Sequence, residues 1–468
     1  MQQKSLIKLI FCVCIGVGIW YVSPIALAEP APLILAVFAA VLASFFLHPY
    51  PMGMSVLIAL VILSSADLIG FKDILHGFAS RVVWLVIAAF MIAKAVIESQ
   101  LGTRIALNLI RFFSTSPIGI AYAICISELF LSPIIASNTA RGGGILSPIV
   151  RTVIHSIESQ GMQQDSNIKK YLILTASHAN VITSAMFLTA MAANPLISHY
   201  AKQYLEVEFD WLTWSYGAIL PGLVSLIGLP LLLKLLVRPE KIDAKVIQDK
   251  SKQELRQLGQ MTSAEKIVSL VFICLILLWA TASFHHLETV QVAWFGVLAL
   301  LLTGVLTWEG VVRNSAAWDT MIWLGGLLTI VSMLEDSHVT SYFINHIQLS
   351  WLGQQTILFA LLFLALIYFL SMYACSMLTA HISALLGGFY VLCNQLEAPP
   401  LLAAALFAYA SNLCACLTHY STGPVVIYYA YHFVSIPQWF IVGATLGLYH
   451  MIVWLGIGLP WWHYLGWW

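Results

Sequence analysis

Long apolar runs alternate with short polar interruptions along the whole chain, and the length of each run decides what it can form. A helix rises 1.5 Å per residue, so ~20 apolar residues match the ~30 Å hydrocarbon core of a bilayer. Runs near 5–22, 31–47, 52–68, 82–100, 212–237, 265–283, 290–306, 319–336 and 437–458 meet that length and predict membrane-spanning helices. The stretches 117–155, 169–204, 355–395 and 400–432 do not, being too long or too broken by Ser, Asn, Thr, Gly and Pro. Non-helical backbone at membrane depth survives only where protein or a wet cavity surrounds it, so these four stretches mark the expected site.

The interruptions recur. Thr139-Ala140-Arg141 and Thr379-Ala380-His381 lie 240 residues apart (379 − 139), and Trp84-Leu85 and Trp323-Leu324 lie 239 apart (323 − 84). Asn180 through Asn194-Pro195 is matched by Asn412 through Gly423-Pro424 at an offset of 232 (412 − 180). Landmarks repeated in one order argue for a duplicated, all-α polytopic membrane protein with a site where its halves meet. The expected organisation is N-terminal scaffold spans over 1–68, a first repeat over 69–237, a linker over 238–264 and a second repeat over 265–468.

Composition supports the bilayer: 60% of residues are hydrophobic and 9% charged, where a soluble domain carries about a quarter charged. The net charge of zero gives no sign of a nucleic-acid partner. Lys241, Lys245, Lys250, Lys252 and Arg256 place the linker in the cytoplasm by the positive-inside tendency, with Lys4, Lys8, Arg104, Arg111, Arg151, Lys169 and Lys170 on the same side. Lys4, Lys8, an apolar core and Ala26-Leu27-Ala28 resemble a cleavable signal peptide, yet a polytopic chain commonly keeps its first span, and retention is the expectation. Cys12/Cys14 and Cys414/Cys416 form C-x-C pairs without converging further ligands, so neither a metal nor any other cofactor is expected.

Residues 117–155 read as a re-entrant helical hairpin with Ser137-Asn138-Thr139 and three glycines at its tip. Hydroxyls, amides and free backbone N–H groups at a helix start donate to an anion without adding charge, although small polar residues also serve ordinary helix packing. Arg141, inside an apolar segment, costs at least ~2.5–3.5 kcal/mol on insertion scales, so it either faces a cavity or partner or snorkels to the headgroups. His381 is its counterpart in the second hairpin, near Thr379. In the two broken helices Asn180, Thr189, Asn412, Thr418, Thr422 and Pro424 are the polar or helix-interrupting positions from which a ligand contact is expected, with unwinding near each proline. An intramembrane enzyme built on His178, His381 or His419 is the weaker reading, since no H-E-x-x-H or comparable ligand pair lies within a span.

The stretches PIIASNTARGGGILSPIVRT (133–152), ANVITSAMFLTAMAANPL (179–196), LTAHISAL (378–385) and SNLCACLTHYSTGPVVIYY (411–429) resemble the divalent anion:sodium symporter family. The closest likeness is to its branch of citrate/succinate antiporters and 2-oxoglutarate/malate translocators. The resemblance implies inverted repeats, a homodimer in a bacterial inner membrane in contact with lipid, a small carboxylate substrate and an elevator motion. It also implies substrate contacts from Ser137, Asn138, Thr139, Thr379, Thr422 and Pro424. The sequence departs from the family at the second tip, where Met377-Leu378 follows Ser376. Sodium-coupled members place ions beside each tip; here Arg141 and His381 stand there instead. If they supply the substrate's countercharge permanently, the empty carrier moves unpaired positive charge and exchange is favoured over net uptake. A sodium-coupled symporter is the alternative.

Overall fold

The computed structural model describes residues 2–23, 27, 29–162, 166–339, 342 and 351–468; Ala26 and Ala28 of the cleavage-like motif lie outside them. Every regular element among the described residues is helical. Each apolar run of spanning length forms a helix: Gln2–Val22, Ala31–Leu47, Met52–Ser65, Arg81–Glu98, Trp211–Val237, Ser263–Ala280, Thr289–Leu302, Ser315–Asp336 and Ile436–Gly456. Helices are required here because each backbone donor in hydrocarbon must be satisfied within its own segment. Their outer faces stay apolar and exposed, as at Leu57, Val61, Leu231, Leu235, Ile441, Leu448 and Ile452, which suits lipid rather than water.

Contacts between helix ends sort the elements onto two faces. On one, Arg104 Nε lies 2.5 Å from Glu265 Oε1, Glu240 accepts from the backbone of Asn167 and Ile168, and Gln248 bonds the carbonyl of Ser114. This face holds the linker, whose helix Ala244–Leu258 starts on an Asp243 cap and buries Ile247. On the other, Arg81 pairs with Glu288 at 2.8 Å, and Arg81, Gln203 and Glu335 line one cavity. Arg81–Glu98 therefore runs from the second face to the first, while Ser315–Asp336 runs the opposite way. Equivalent elements with opposite directions are the mark of inverted repeats.

The halves also interlock. Met52–Ser65 packs on Ser315–Asp336, where Val56 and Leu60 leave no room for a Cβ at Gly326. Reciprocally, Thr289–Leu302 packs on Arg81–Glu98, with Trp294 Nε1 donating to the carbonyl of Trp84 at 3.2 Å.

Candidate functional site

The stretch 117–155 folds as two arms. Pro117–Leu131 opens on a Ser116 cap, and Ser147–Glu158 follows a π-helical segment, Ala140–Leu146. Ser137 Oγ accepts from the backbone N–H of Ala140 at 3.1 Å and so starts the second arm. The second hairpin repeats the plan with Ile357–Leu370, Leu378–His381, the π-helical segment Ile382–Leu386 and Gly387–Gln395. A π segment at the same place in both hairpins fits their functional reading, since such insertions concentrate at sites. The broken helices are Asn167–Met186 followed by Asn194–Leu205, and Pro400–Leu413 followed by Gly423–Tyr429. Pro195 and Pro424 sit in the first turn of the second halves, where a missing N–H costs nothing.

Four half-helices thus begin at the centre of the molecule, and their starts come together at the second break. A Cβ on Gly423 would overlap Thr139 Oγ1 and lie 2.9 Å from Thr139 Cγ2. One on Gly142 would lie 3.0 Å from Pro424 Cβ. The backbone N–H of Leu378 donates to the carbonyl of Ser421 at 2.8 Å, and Asn412 Nδ2 donates to Asn194 Oδ1 at 2.9 Å. Helix starts carry unsatisfied N–H groups and the positive end of the dipole, so their junction suits an anion. Thr139 and Gly423 are exposed there and Thr379 is half-buried, while Thr418 and Thr422 are buried with hydroxyls that have no hydrogen-bond partner.

Arg141 is fully buried, and all five of its donors are used. Nε donates to Glu128 Oε2 at 2.5 Å, Nη1 to the carbonyls of Ile135 (3.0 Å) and Ala190 (2.9 Å), and Nη2 to Thr183 Oγ1 (3.3 Å) and Ser184 Oγ (3.2 Å). Glu128, also fully buried, accepts in addition from Asn180 Nδ2 and Thr183 Oγ1. A guanidinium has five donors and no more, so Arg141 has none left for a ligand, and its charge is already balanced. The expectation of a free cation at 141 is corrected. Arg141 joins both hairpin arms to the first broken helix as one half of a neutral pair.

The second half carries a neutral version of this joint at the same offset, since 368 − 128 = 240 and 381 − 141 = 240. His381 is buried against the ring of Tyr368, with centroids 4.5 Å apart, and its Nε2 lies 2.8 Å from Ser371 Oγ. Tyr368 Oη in turn meets Ser411 Oγ of the second broken helix at 2.8 Å.

Of the other expected contacts, one moves to a supporting role. Thr189 donates to the carbonyl of Pro133 at 2.6 Å and accepts from Trp211 Nε1, away from the junction. Asn180, beside Gly142 and Pro424, spends its amide hydrogens on Glu128 and the carbonyl of Asn138, and Asn412 joins the two broken helices, while the Oδ1 of each has no hydrogen-bond partner. Ser137, Asn138, Thr139, Thr379, Thr418, Thr422 and Pro424 are the expected residues that gather at the junction. Sequence reasoning overlooked Glu128, although its signal was there: a single carboxylate inside the apolar run that ends at Pro133. Asking what neutralises Arg141 points to it. His178 lies buried near Trp439, and His419 packs among Tyr420, Tyr429 and Phe440. No group of three or more His, Cys, Asp or Glu is placed to hold a metal among the described residues. Replacing Asn412 by Ala leaves the buried Oδ1 of Asn194 without its donor, with an expected loss of about 1–3 kcal/mol, read as a lower melting temperature of the purified protein.

An all-helical membrane fold with opposed repeats, paired hairpins and broken helices meeting at its centre defines a secondary transporter. The family model for the sodium:sulfate symporter transmembrane region matches residues 3–468. YflS, provisionally named a malate transporter of Bacillus subtilis (strain 168), is 35% identical across 99% of this chain and 97% of its own length. Dicarboxylate transporter 1 of Spinacia oleracea chloroplasts is 32% identical over 100% of this chain and 83% of its own. Inner membrane protein YbhI of Escherichia coli (strain K12) is 32% identical, with coverages of 100% and 99%. The crystal structure of the Alcanivorax borkumensis YdaH transporter shares the fold at a TM-score of 0.59 and 11% identity, covering 100% of this chain and 98% of that one. The chain belongs to the divalent anion:sodium symporter family, as its motifs indicated, and it is an integral membrane transporter rather than an enzyme.

Proposed function

We propose that this protein exchanges small organic di- or tricarboxylates of the 2-oxoglutarate, malate, succinate and citrate class across a bacterial inner membrane, as a sodium-independent antiporter. In this reading the two hairpins and broken helices carry the substrate past the spans as an elevator, and two copies form a homodimer. The substrate sits at the junction, held by the tips at Ser137, Asn138, Thr139 and Thr379 and by Thr418, Thr422 and the helix start at Gly423-Pro424. Helix N-termini and hydroxyls supply the donors that a desolvated carboxylate requires. The names of the Bacillus and spinach relatives, a malate and a dicarboxylate transporter, support this substrate class.

The observation that carries sodium independence is the oxygen cage around Arg141. Two carbonyls, two hydroxyls and one carboxylate are the hard oxygen donors a small cation would use, and here a tethered guanidinium bonds all of them. No cation then enters with the substrate at this tip. Net uptake of a dianion would move two negative charges against an inside-negative potential, about 4.6 kcal/mol at 100 mV, whereas exchange of one dianion for another moves none. Exchange is favoured by that balance, not by an unpaired charge on the empty carrier. Sodium-coupled symport is the second reading, favoured by the description of the family model. Thermal stabilisation of the purified protein across a carboxylate panel tests the substrate class. Saturating ligand at about 100 times its Kd is expected to add about 2.7 kcal/mol, and stabilisation by sulfate with no response to any carboxylate would refute it.

A further inference from the structure

A second cavity, edged by charged side chains, opens at the linker face, at the far end of a seam that starts at the hairpin tip. Along this seam the second arm of the first hairpin and the second half of the second broken helix run side by side. Thr139 meets Gly423, Tyr428 Oη donates to the carbonyl of Gly142 at 3.0 Å, and Ser147 Oγ lies 2.6 Å from Tyr431 Oη. Residue 151 lies about three turns along this arm from residue 139. There the cavity, about 490 Å³, is lined by Arg151, His155, Glu158, Lys169, Tyr431 and Phe433 among others.

Its charges are unevenly paired. Lys169 is buried, with Nζ 2.9 Å from Glu158 Oε1 and 5.5 Å from the centre of the Phe433 ring. That hydrogen bond from Lys169 is the main cause holding the Glu158 carboxyl below its ordinary range, with His155 Nδ1 3.0 Å from the other oxygen. Arg151 is exposed, stands over the Tyr431 ring at 5.9 Å, and touches His155 Nε2 only through Nε at 3.4 Å. Its Nη groups bond no described residue. Two fixed cations therefore face one carboxylate, and the unmatched one presents a planar pair of donors, the geometry that grips a carboxylate.

We propose that this cavity is a loading subsite for the carboxylate substrate, with Arg151 as its ligand, upstream of the junction between the tips. The inference rests on the carboxylate reading above. A concave, net-positive mouth raises the local concentration of an anion, and the volume falls in the range of small-molecule sites. The cavity and the substrate junction lie on the same two elements, which favours a substrate over a lipid headgroup, whose phosphate shares the same chemistry.

The test places 3-fluorotyrosine at position 431 in the full-length protein and follows its 19F resonance during a titration with succinate. The resonance is expected to shift, to shift equally in Thr422→Val, which removes a hydroxyl from the junction, and to stay still in Arg151→Gln. Arg151→Lys, which keeps the charge and loses the fork, is expected to respond weakly. In exchange assays Arg151→Gln is expected to raise KM about tenfold with kcat little changed and to flatten the salt dependence of kcat/KM. A silent resonance in the wild type, or a shift that survives in Arg151→Gln, overturns the subsite. A response to phosphatidylglycerol in nanodiscs and none to succinate overturns its assignment to substrate. If succinate moves the resonance through Arg151 while no carboxylate is exchanged, the subsite stands and the transport reading falls.

Discussion

Arg141→Ala is expected to reduce exchange by at least about a hundredfold and to destabilise the fold. The side chain holds five oxygens from the first hairpin and the first broken helix, and without it the carboxylate of Glu128 is left buried and uncompensated. Breaking a buried pair by removing one partner costs about 3–5 kcal/mol, and each 1.4 kcal/mol is a factor of ten. The double variant Arg141→Gln with Glu128→Gln removes both charges and is expected to recover most of that stability, a strong non-additivity for residues in contact. Thermal unfolding of the single and double variants measures this directly. Wild-type exchange in Arg141→Ala would show that the cage has no role. Failure of the second substitution to restore any stability would show that Glu128 is not the partner that matters.

The second large effect is expected at Gly423. A Cβ there falls within the envelope of Thr139 Oγ1 and 3.1 Å from Thr139 Cβ, so even alanine must push the first tip away from the second break. Gly423→Val is expected to lower exchange more than tenfold, because contacts that must be held to a fraction of an ångström fail when displaced by about one. Overpacking penalties of about 1–3 kcal/mol are expected on stability. Thr139→Gly in the same chain removes the obstructing atoms and is expected to restore part of the stability lost in Gly423→Ala without restoring exchange, since Thr139 is itself a proposed substrate contact. A Gly423→Val protein with unaltered KM and kcat would place the substrate somewhere other than this junction.

The spans and breaks were legible because a bilayer leaves few choices. Length and hydropathy placed a helix in every clean apolar run, although Ala31–Leu47, Met52–Ser65 and Thr289–Leu302 stop at 17, 14 and 14 residues, and Ser, Asn, Gly and Pro inside long apolar stretches marked the hairpins and the broken helices. Spacing exposed the repeat through Thr139 and Thr379. What spacing could not give was the side-chain network. Thr189 and Asn180 looked as available for a ligand as Thr418 and Thr422, and only packing shows that Thr189 is tied to Pro133 and Trp211, whereas Thr422 keeps an unpartnered hydroxyl. Arg141 stands out because one charge in hydrocarbon is costly, and the same cost implies a neutralising partner. Glu128, thirteen residues earlier on the opposite arm, is adjacent to it only after the hairpin closes.

In the proposed mechanism a tethered guanidinium stands at the first tip where a coupling ion would, and a carboxylate crosses only in trade for another. Uptake of radiolabelled malate into proteoliposomes, with and without sodium and with and without internal malate, tests it most directly. Uptake is expected to need internal substrate and to be the same in sodium and potassium buffers. Sodium-driven accumulation in vesicles that contain no internal carboxylate would contradict it.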